Sequence, residues 1–399
     1  MKSRVIWGVV SLLIFFTASA SSAGALWAKQ PPRYSVILLG EPANESEWAD
    51  GHVRPTSINN RGDVVGVTAF APVLYRDRRL RYLWPAEEGY FTYFPPAIND
   101  RGIIAAIAFP LDGNQSPSAI AFTYPTLGRT QPFTLAGASI FASRWFVPWD
   151  MNGWGTIVGE LRDTPLRTAV VYRDGEVRTL PPLSPGGEAV ANAINSRGQI
   201  VGTSGAENFS SHPFFPTRAV IWSDGRVRDL GLLPGCVNAY GVHINDRGEA
   251  VGSCDDASEE AGLLGNVAHG FIWRNGVMRR VPVPAGTQSC APVRINNRGD
   301  VLINYFPRRS SDLFYYGWWL YSGGVLHEVD EIVAKETGWR LAHLELCDIN
   351  DRGEIVGYAQ YSDPAFRSFT QGILLVPDHD RTQSRISGSN GRFIGPRNH

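Results

Sequence analysis

Apolar positions along the chain fall in short clusters rather than in helical stripes. Pairs such as Val64-Val65, Ile157-Val158, Ile200-Val201 and Ile355-Val356 stand among Gly, Asn, Asp and Arg. Adjacent apolar residues without polar alternation mark strands covered on both faces. Each pair belongs to a recurring segment, Ile-Asn-x-Arg-Gly-x-Val-Val-Gly. Its asparagines are Asn59, Asn99, Asn152, Asn195, Asn245, Asn296 and Asn350, with gaps of 40, 53, 43, 50, 51 and 54. A glycine follows three positions after each, from Gly62 to Gly353. Self-similarity at a period of about 50 residues marks a repeat architecture.

Each unit predicts four short strands. The first runs into Ile-Asn and its Asn-x-x-Gly turn, where both residue types tolerate left-handed backbone. The second is the apolar pair. The third ends in an aromatic column: Tyr75, Phe122, Tyr172, Trp222, Trp273 and Tyr321, with Leu375 in the last unit. Hairpin signals follow at Asp174-Gly175, Asp224-Gly225, Asn275-Gly276 and Gly323-Gly324. The fourth strand carries Leu83, Leu135, Leu180, Leu230, Val281 and Val329.

The seventh unit has no fourth strand after Asp378, but Val36-Ile37-Leu38-Leu39-Gly40 repeats the pattern of Val227-Arg228-Asp229-Leu230-Gly231. An N-terminal strand that completes the last unit closes a ring and removes exposed sheet edges. The expected fold is an all-β, seven-bladed β-propeller of four-stranded blades over about 33–378. One short helical stretch is expected near Asp330–Thr337. A β-solenoid fits worse because the units contain reversing hairpins, and a two-domain α/β protein is weaker still.

The chain ends read differently. Lys2 and Arg4 precede the apolar run Val5–Phe16 and then Ala18-Ser19-Ala20, which predicts a secretory signal peptide over 1–25, with an uncleaved anchor as the alternative. No second run reaches membrane length, so the mature chain is expected to be extracellular or periplasmic, without a membrane span. Residues 379–399 are polar and read as a disordered tail. Export permits disulfides among the four cysteines. Cys236 and Cys254 flank the Asn245–Gly248 turn almost symmetrically, so they can pair within one hairpin. Cys290 and Cys347 then lie near the innermost strands of neighbouring blades, where a bridge would link them.

Composition changes this picture little. Of 399 residues, 37 are Lys or Arg and 38 Asp or Glu, for a net charge of −1, which argues against nucleic acid as a partner. The 43% hydrophobic content excludes wholesale disorder. The 42 Gly and 27 Pro fit many chain reversals.

The unit resembles the HAF repeat of bacterial extracellular repeat proteins. That pattern joins Ile-Asn-x-x-Gly-x-Val-Val-Gly to a His-Ala-Phe-x-Trp strand, best kept here as His269-Gly270-Phe271-Ile272-Trp273. Other units show Thr-Ala-Val-Val-Tyr (168–172) or Arg-Ala-Val-Ile-Trp (218–222) instead. The resemblance spans essentially the whole mature chain and implies a secreted repeat protein, without supplying a catalytic residue.

Candidate chemistry follows the same period. Arg61, Arg101, Arg197, Arg247, Arg298 and Arg352 precede the turn glycines, and Trp154 takes the seventh place. Converging at one channel mouth, these side chains would bind an anion or a carboxylated polymer. The expected place of the arginines, set by shared ancestry of the repeats, is along their own turns beside Asp100, Asp246 or Asp351. Trp145, Trp149 and Trp154 cluster where the Arg column breaks and read as blade packing, with a sugar-stacking surface as the alternative. Arg61-Gly62-Asp63 and Arg298-Gly299-Asp300 spell an adhesion tripeptide but read as drift within the repeat. No hydrolase, phosphate-loop or metal signature occurs, and neither a metal nor a cofactor is expected. Acidic patches at Glu45/Glu47/Asp50 and Asp255/Asp256/Glu259/Glu260 lie in loops. The expected function is a non-catalytic binding or scaffolding module, a monomer, for an extracellular glycan or protein. The alternatives are a polysaccharide hydrolase or lyase and a purely structural envelope protein.

Overall fold

The computed structural model describes residues 31–40, 53–68, 71–83, 90–91, 96–110, 120–124, 145–163, 166–174, 176–205, 217–256, 268–307, 316–333, 342–362 and 368–378. The expected signal segment, the C-terminal tail and the acidic residues Glu45, Glu47, Asp50, Glu259 and Glu260 lie outside them. The chain divides into two compact units, 1–31 and 32–399, and the described strands all belong to the second.

That unit is an all-β propeller with six four-stranded antiparallel blades. In the Asn195 blade, Glu188–Ile194, Ile200–Gly205, Thr217–Ser223 and Arg226–Asp229 pair in chain order. The blades of Asn59, Asn152, Asn245 and Asn296 repeat that order. In the Asn350 blade, Ala342–Ile349, Ile355–Ser362 and Ser368–Pro377 are completed by the N-terminal strand Tyr34–Leu38, in register Val36 to Leu375. Leu39 N–H bonds the Gly372 carbonyl as Leu230 N–H bonds Ala219, so the closing strand takes the place its sequence pattern predicts.

The Asn99 unit departs from the plan. Ile104–Pro110 pairs with Ile120–Tyr124 on one side and with two short pieces, Tyr90–Phe91 and Ala97–Ile98, on the other. Residues 92–95, between these two pieces, lie outside the described residues. The fourth strand expected around Leu135 falls within 125–144, outside the described residues. Six regular blades and one irregular sheet therefore stand where seven four-stranded blades were expected.

The core lies between the sheets. Among the described residues, buried apolar side chains form seven clusters, each shared by two consecutive sheets. The aromatic column supplies this packing: Trp222 meets Val158 and Leu180 of the preceding blade and donates Nε1–H to the Pro181 carbonyl at 2.8 Å. In each regular blade the inner strand bulges three residues before the asparagine, between Pro148 and Asp150 or Ala191 and Ala193 for example. The bulge brings the inner strand against the glycine that ends the motif: a Cβ on Gly202 would sit 2.0 Å from the Val190 carbonyl oxygen. Asp224-Gly225 and Asn275-Gly276 both take positive φ, as expected of two-residue hairpins, and so does Asp77-Arg78, which carries no glycine signature. The short helix is a single turn, Val329–Ile332.

Candidate functional site

The seven Asn-x-x-Gly turns surround a central channel of about 210 Å³. In each turn the glycine takes positive φ but the asparagine does not, so Asn is not there for a left-handed backbone. Its side chain is the reason. Asn245 Oδ1 accepts the N–H groups of Arg247 and Glu249, at 3.0 Å each, which fixes the turn. The same pair of bonds is made by all seven asparagines.

The Nδ2 group then reaches the next sheet. Asn59 donates to the Asn99 carbonyl, Asn99 to Asn152, Asn152 to Asn195, and Asn195 to Asn245. Asn245 donates to Asn296, Asn296 to Asn350, and Asn350 back to Asn59. The cycle is closed. All seven side chains are buried, where each lost bond would strand a polar group. Sequence reading treated these residues as turn formers and missed the belt. The signal was available, because a residue used only for positive φ would be replaced by Gly or Asp in some units.

Side chains two positions before the asparagine extend this stitching into the channel. Asp150 accepts from Ile194 N–H at 2.8 Å, Asp348 from Ile58 N–H at 3.0 Å, and His243 Nδ1 from Ile295 N–H at 3.4 Å. Loss of hydration pushes the Asp150 carboxyl up to about 6, and pushes the His243 imidazole down to about 3 with help from the Arg294 charge. Desolvation also raises Asp348, which lies 3.5 Å from Arg294. One position after the asparagine, Asp351 N–H bonds Asn60, Asn60 N–H bonds Asp100, and Ser196 N–H bonds Asp246. The carboxylates of Asp100, Asp246 and Asp351, the last accepting from Asn297 N–H at 2.7 Å, are therefore engaged by turn backbone rather than by the arginines.

The arginine column splits into two arcs. Arg61, Arg247, Arg298 and Arg352 each close onto a carboxylate two residues on: Asp63 at 3.0 Å, Glu249 at 2.6 Å, Asp300 at 2.7 Å and Glu354 at 2.5 Å. The guanidinium groups of Arg247, Arg298 and Arg352 also lie against the next turn, so a Cβ on Gly353 would meet Arg298 Nη2 at 2.2 Å, and Arg197 of the other arc does the same at Gly248, 2.6 Å. Burial alone would raise the Asp63 carboxyl, but bonds from Arg76 and Asn59 and the charges of Arg76 and Arg61 hold it below its ordinary value. These four arginines run around the rim and are neutralised there. In the other arc the corresponding positions are Ile103, Thr156 and Gln199. Arg101 stacks over the Trp154 ring at 4.8 Å, and Arg197 has no carboxylate in its own turn.

Beside that arc, a groove of about 1030 Å³ runs between the Asn152 and Asn195 blades, bordered by Trp154, Arg173, Arg178, Arg197 and Asp224. Trp154 is 64% exposed, the largest exposure of any big apolar side chain described. Its Nε1–H donates to the Ser196 carbonyl at 3.0 Å, and Arg101 lies over one face, so the indole is fixed rather than loose. Trp149 does not join it at the rim: it sits on the inner strand at the bulge, and the side chain of Trp145 is outside the described residues. The groove's Asp174 and Glu176 are exposed partners of Arg173 and Arg178.

The remaining candidates separate. Cys236 and Cys254 form a disulfide, Cα to Cα 5.9 Å, as their placement about the turn predicts. Cys290 and Cys347 are free thiols, which corrects the expected second bridge. Cys290 faces the preceding blade, its Sγ accepting from Gly270 N–H at 3.3 Å, whereas Cys347 sits at the inner-strand bulge of Ala342–Ile349 and faces a cavity shared with Ala291, which lies on the opposite face of Thr287–Ile295 from Cys290. Asp63 and Asp300 are buried and bonded, so neither adhesion-like tripeptide presents its carboxylate. His269 lies between Asp256 and Arg280, at 3.1 Å from each, with Nδ1 accepting from the arginine. Among the described residues, no group of three or more His, Cys, Asp or Glu is placed to hold a metal ion.

No protein-family model matches the chain, and no curated protein does. Among solved structures it is similar to a protein of unknown function from Dyadobacter fermentans, 12% identical over 86% of this chain and 99% of that one, TM-score 0.38. It is similar to the β-propeller domain of the trilobed protease from Pyrococcus furiosus, described as having an open velcro topology, 10% identical over 81% and 94%, TM-score 0.42. A GH74 xyloglucanase from Xanthomonas campestris is 12% identical over 84% and 68%, TM-score 0.27. Likeness at this level says nothing about ligand or chemistry, and the propeller assignment rests on the strand order above.

Proposed function

We propose that this chain is an exported, non-catalytic propeller of seven blades that acts as a monomer and binds a glycan in the groove between the Asn152 and Asn195 blades. The observation that carries the ligand reading is Trp154, an indole held in place by Arg101 and the Ser196 carbonyl yet 64% exposed at the groove edge. A preorganised, solvent-facing aromatic ring is a stacking surface for a sugar, and ordering it costs nothing further on binding. Two features support seven blades: the unbroken cycle of seven asparagine bonds and the seven inter-sheet clusters. The disulfide fits an oxidising compartment, and among the described residues no helix is long and apolar enough to cross a membrane. Membership in the HAF-repeat family belongs to the same reading. A glycan array probed with the purified chain, followed by titration of the best ligand, is the test. Trp154→Ala is expected to lower affinity about tenfold or more while leaving the fold intact. Silence across glycans and cell-wall fragments would instead favour a structural envelope role.

A further inference from the structure

The two arcs of the rim differ in charge as well as in shape. In the Asn59 and Asn245 blades, the arginine at the end of the third strand also binds the turn carboxylate: Arg76 to Asp63 at 2.7 Å and Arg274 to Glu249 at 2.9 Å. The equivalent residue in the Asn152 blade is Arg173, and the carboxylate position there is Thr156. Arg173 is left with Asp174, an exposed pair with side chains 71% and 88% accessible, which water screens and an incoming ligand displaces at small cost. The next turn repeats the omission, with Gln199 where a carboxylate would neutralise Arg197. Gln199 Oε1 still accepts from Asn195 Nδ2 at 2.9 Å, so the turn keeps its bond and loses only the negative charge. Arg101, one turn back, faces Trp154 instead of an acid. Arg173 and Arg197 thus border the same groove as the exposed indole that Arg101 overlies, in the one arc of the rim whose turns lack a carboxylate four residues after the asparagine.

We propose that the glycan bound here is acidic, its sugar rings stacking at Trp154 and its carboxylates paired with Arg173 and Arg197, as in a uronic-acid polymer. This rests on the groove reading above and adds the ligand's charge. A guanidinium recognises a carboxylate through two parallel N–H bonds, a geometry that a neutral hydroxymethyl group at the same sugar carbon cannot reproduce.

The test is calorimetric titration with hexasaccharides from polygalacturonate and alginate, each beside the same oligosaccharide with its carboxyls reduced to alcohols. For at least one pair, the acidic form is expected to bind about tenfold tighter or more. That preference should collapse in Arg173→Gln and Arg197→Gln and persist in Arg247→Gln from the neutralised arc. Equal affinity for acidic and reduced forms, or equal losses of both in the two arginine variants, would overturn the acidic ligand and leave the groove reading standing. Binding of neither form, with no other glycan bound, would overturn both.

Discussion

Four consecutive turns of the rim, at Asn245, Asn296, Asn350 and Asn59, close an arginine onto a carboxylate. The three between, at Asn99, Asn152 and Asn195, do not. Backbone conformation is the same in both arcs, with the same two N–H bonds to Oδ1 and the same positive-φ glycine. A single position, four residues after the asparagine, decides what the arginine does. With Asp or Glu there, the carboxylate takes both the guanidinium and the asparagine's second N–H, and the arginine becomes part of the turn. With Ile, Thr or Gln there, the same arginine keeps its charge for something else. Repetition around a ring makes the exceptions informative, because shared ancestry already explains what all units have in common.

The largest expected difference between the arcs is in stability. Asn296 makes four side-chain bonds, the fourth to Asp300 at 2.9 Å, whereas Asn152 makes three. Asn296→Ala strands two buried N–H groups, one carbonyl and one carboxylate contact, and at about 1 kcal/mol or more per stranded group it should cost roughly 3–5 kcal/mol. Asn152→Ala should cost about 1 kcal/mol less. Urea midpoints of the two variants check this, and equal losses below about 1 kcal/mol would mean that the belt is not a principal fastening of the ring.

The channel offers a second contrast, through pH. Asp150 belongs to the arc whose turns lack that carboxylate and is raised to about 6, so the folded state holds its proton more tightly than the unfolded chain does. That stabilisation is full at low pH and is lost as pH rises through 6. His243 belongs to the other arc and is lowered to about 3, so its contribution is present above its ordinary value and is lost as pH falls toward 3. The two slopes oppose each other between about pH 4 and 6. Asp150→Asn should therefore steepen the loss of stability on going from pH 7 to pH 5, and His243→Asn should flatten it. Parallel pH profiles for both variants and the parent would contradict this assignment of charge in the channel.

Most of this architecture was legible in the chain. The repeat, the strand order within a blade, the closing N-terminal strand and the Cys236–Cys254 pair follow from spacing alone, because each rests on local patterns or hairpin symmetry. The split inner strand of the Asn99 sheet did not follow, because its residues carry the same motif as the regular units, and the position around Leu135 where a fourth strand was expected lies outside the described residues. The Cys290–Cys347 bridge failed because Cys290 faces the preceding blade at Gly270, whereas Cys347 faces a cavity lined by Ala291, the residue next to Cys290 and on the opposite face of its strand. The site was half legible. Trp154 and the arginine column could be named, but whether an arginine is spent within its turn depends on a contact with the residue two positions beyond it. That residue varies among Asp, Glu, Ile, Thr and Gln, so the sequence alone does not mark it as the partner.

The direct test of the central claim, that this arc is a binding surface because its turns lack the carboxylate that closes onto the arginine elsewhere, is to supply the missing charge. Gln199→Glu places a carboxylate where Glu249 and Glu354 stand in their own turns, and it can still accept from Asn195 Nδ2. Titration with the acidic hexasaccharide should show affinity falling about tenfold, with thermal stability unchanged or slightly raised. Undiminished affinity in a variant that folds normally would contradict the account.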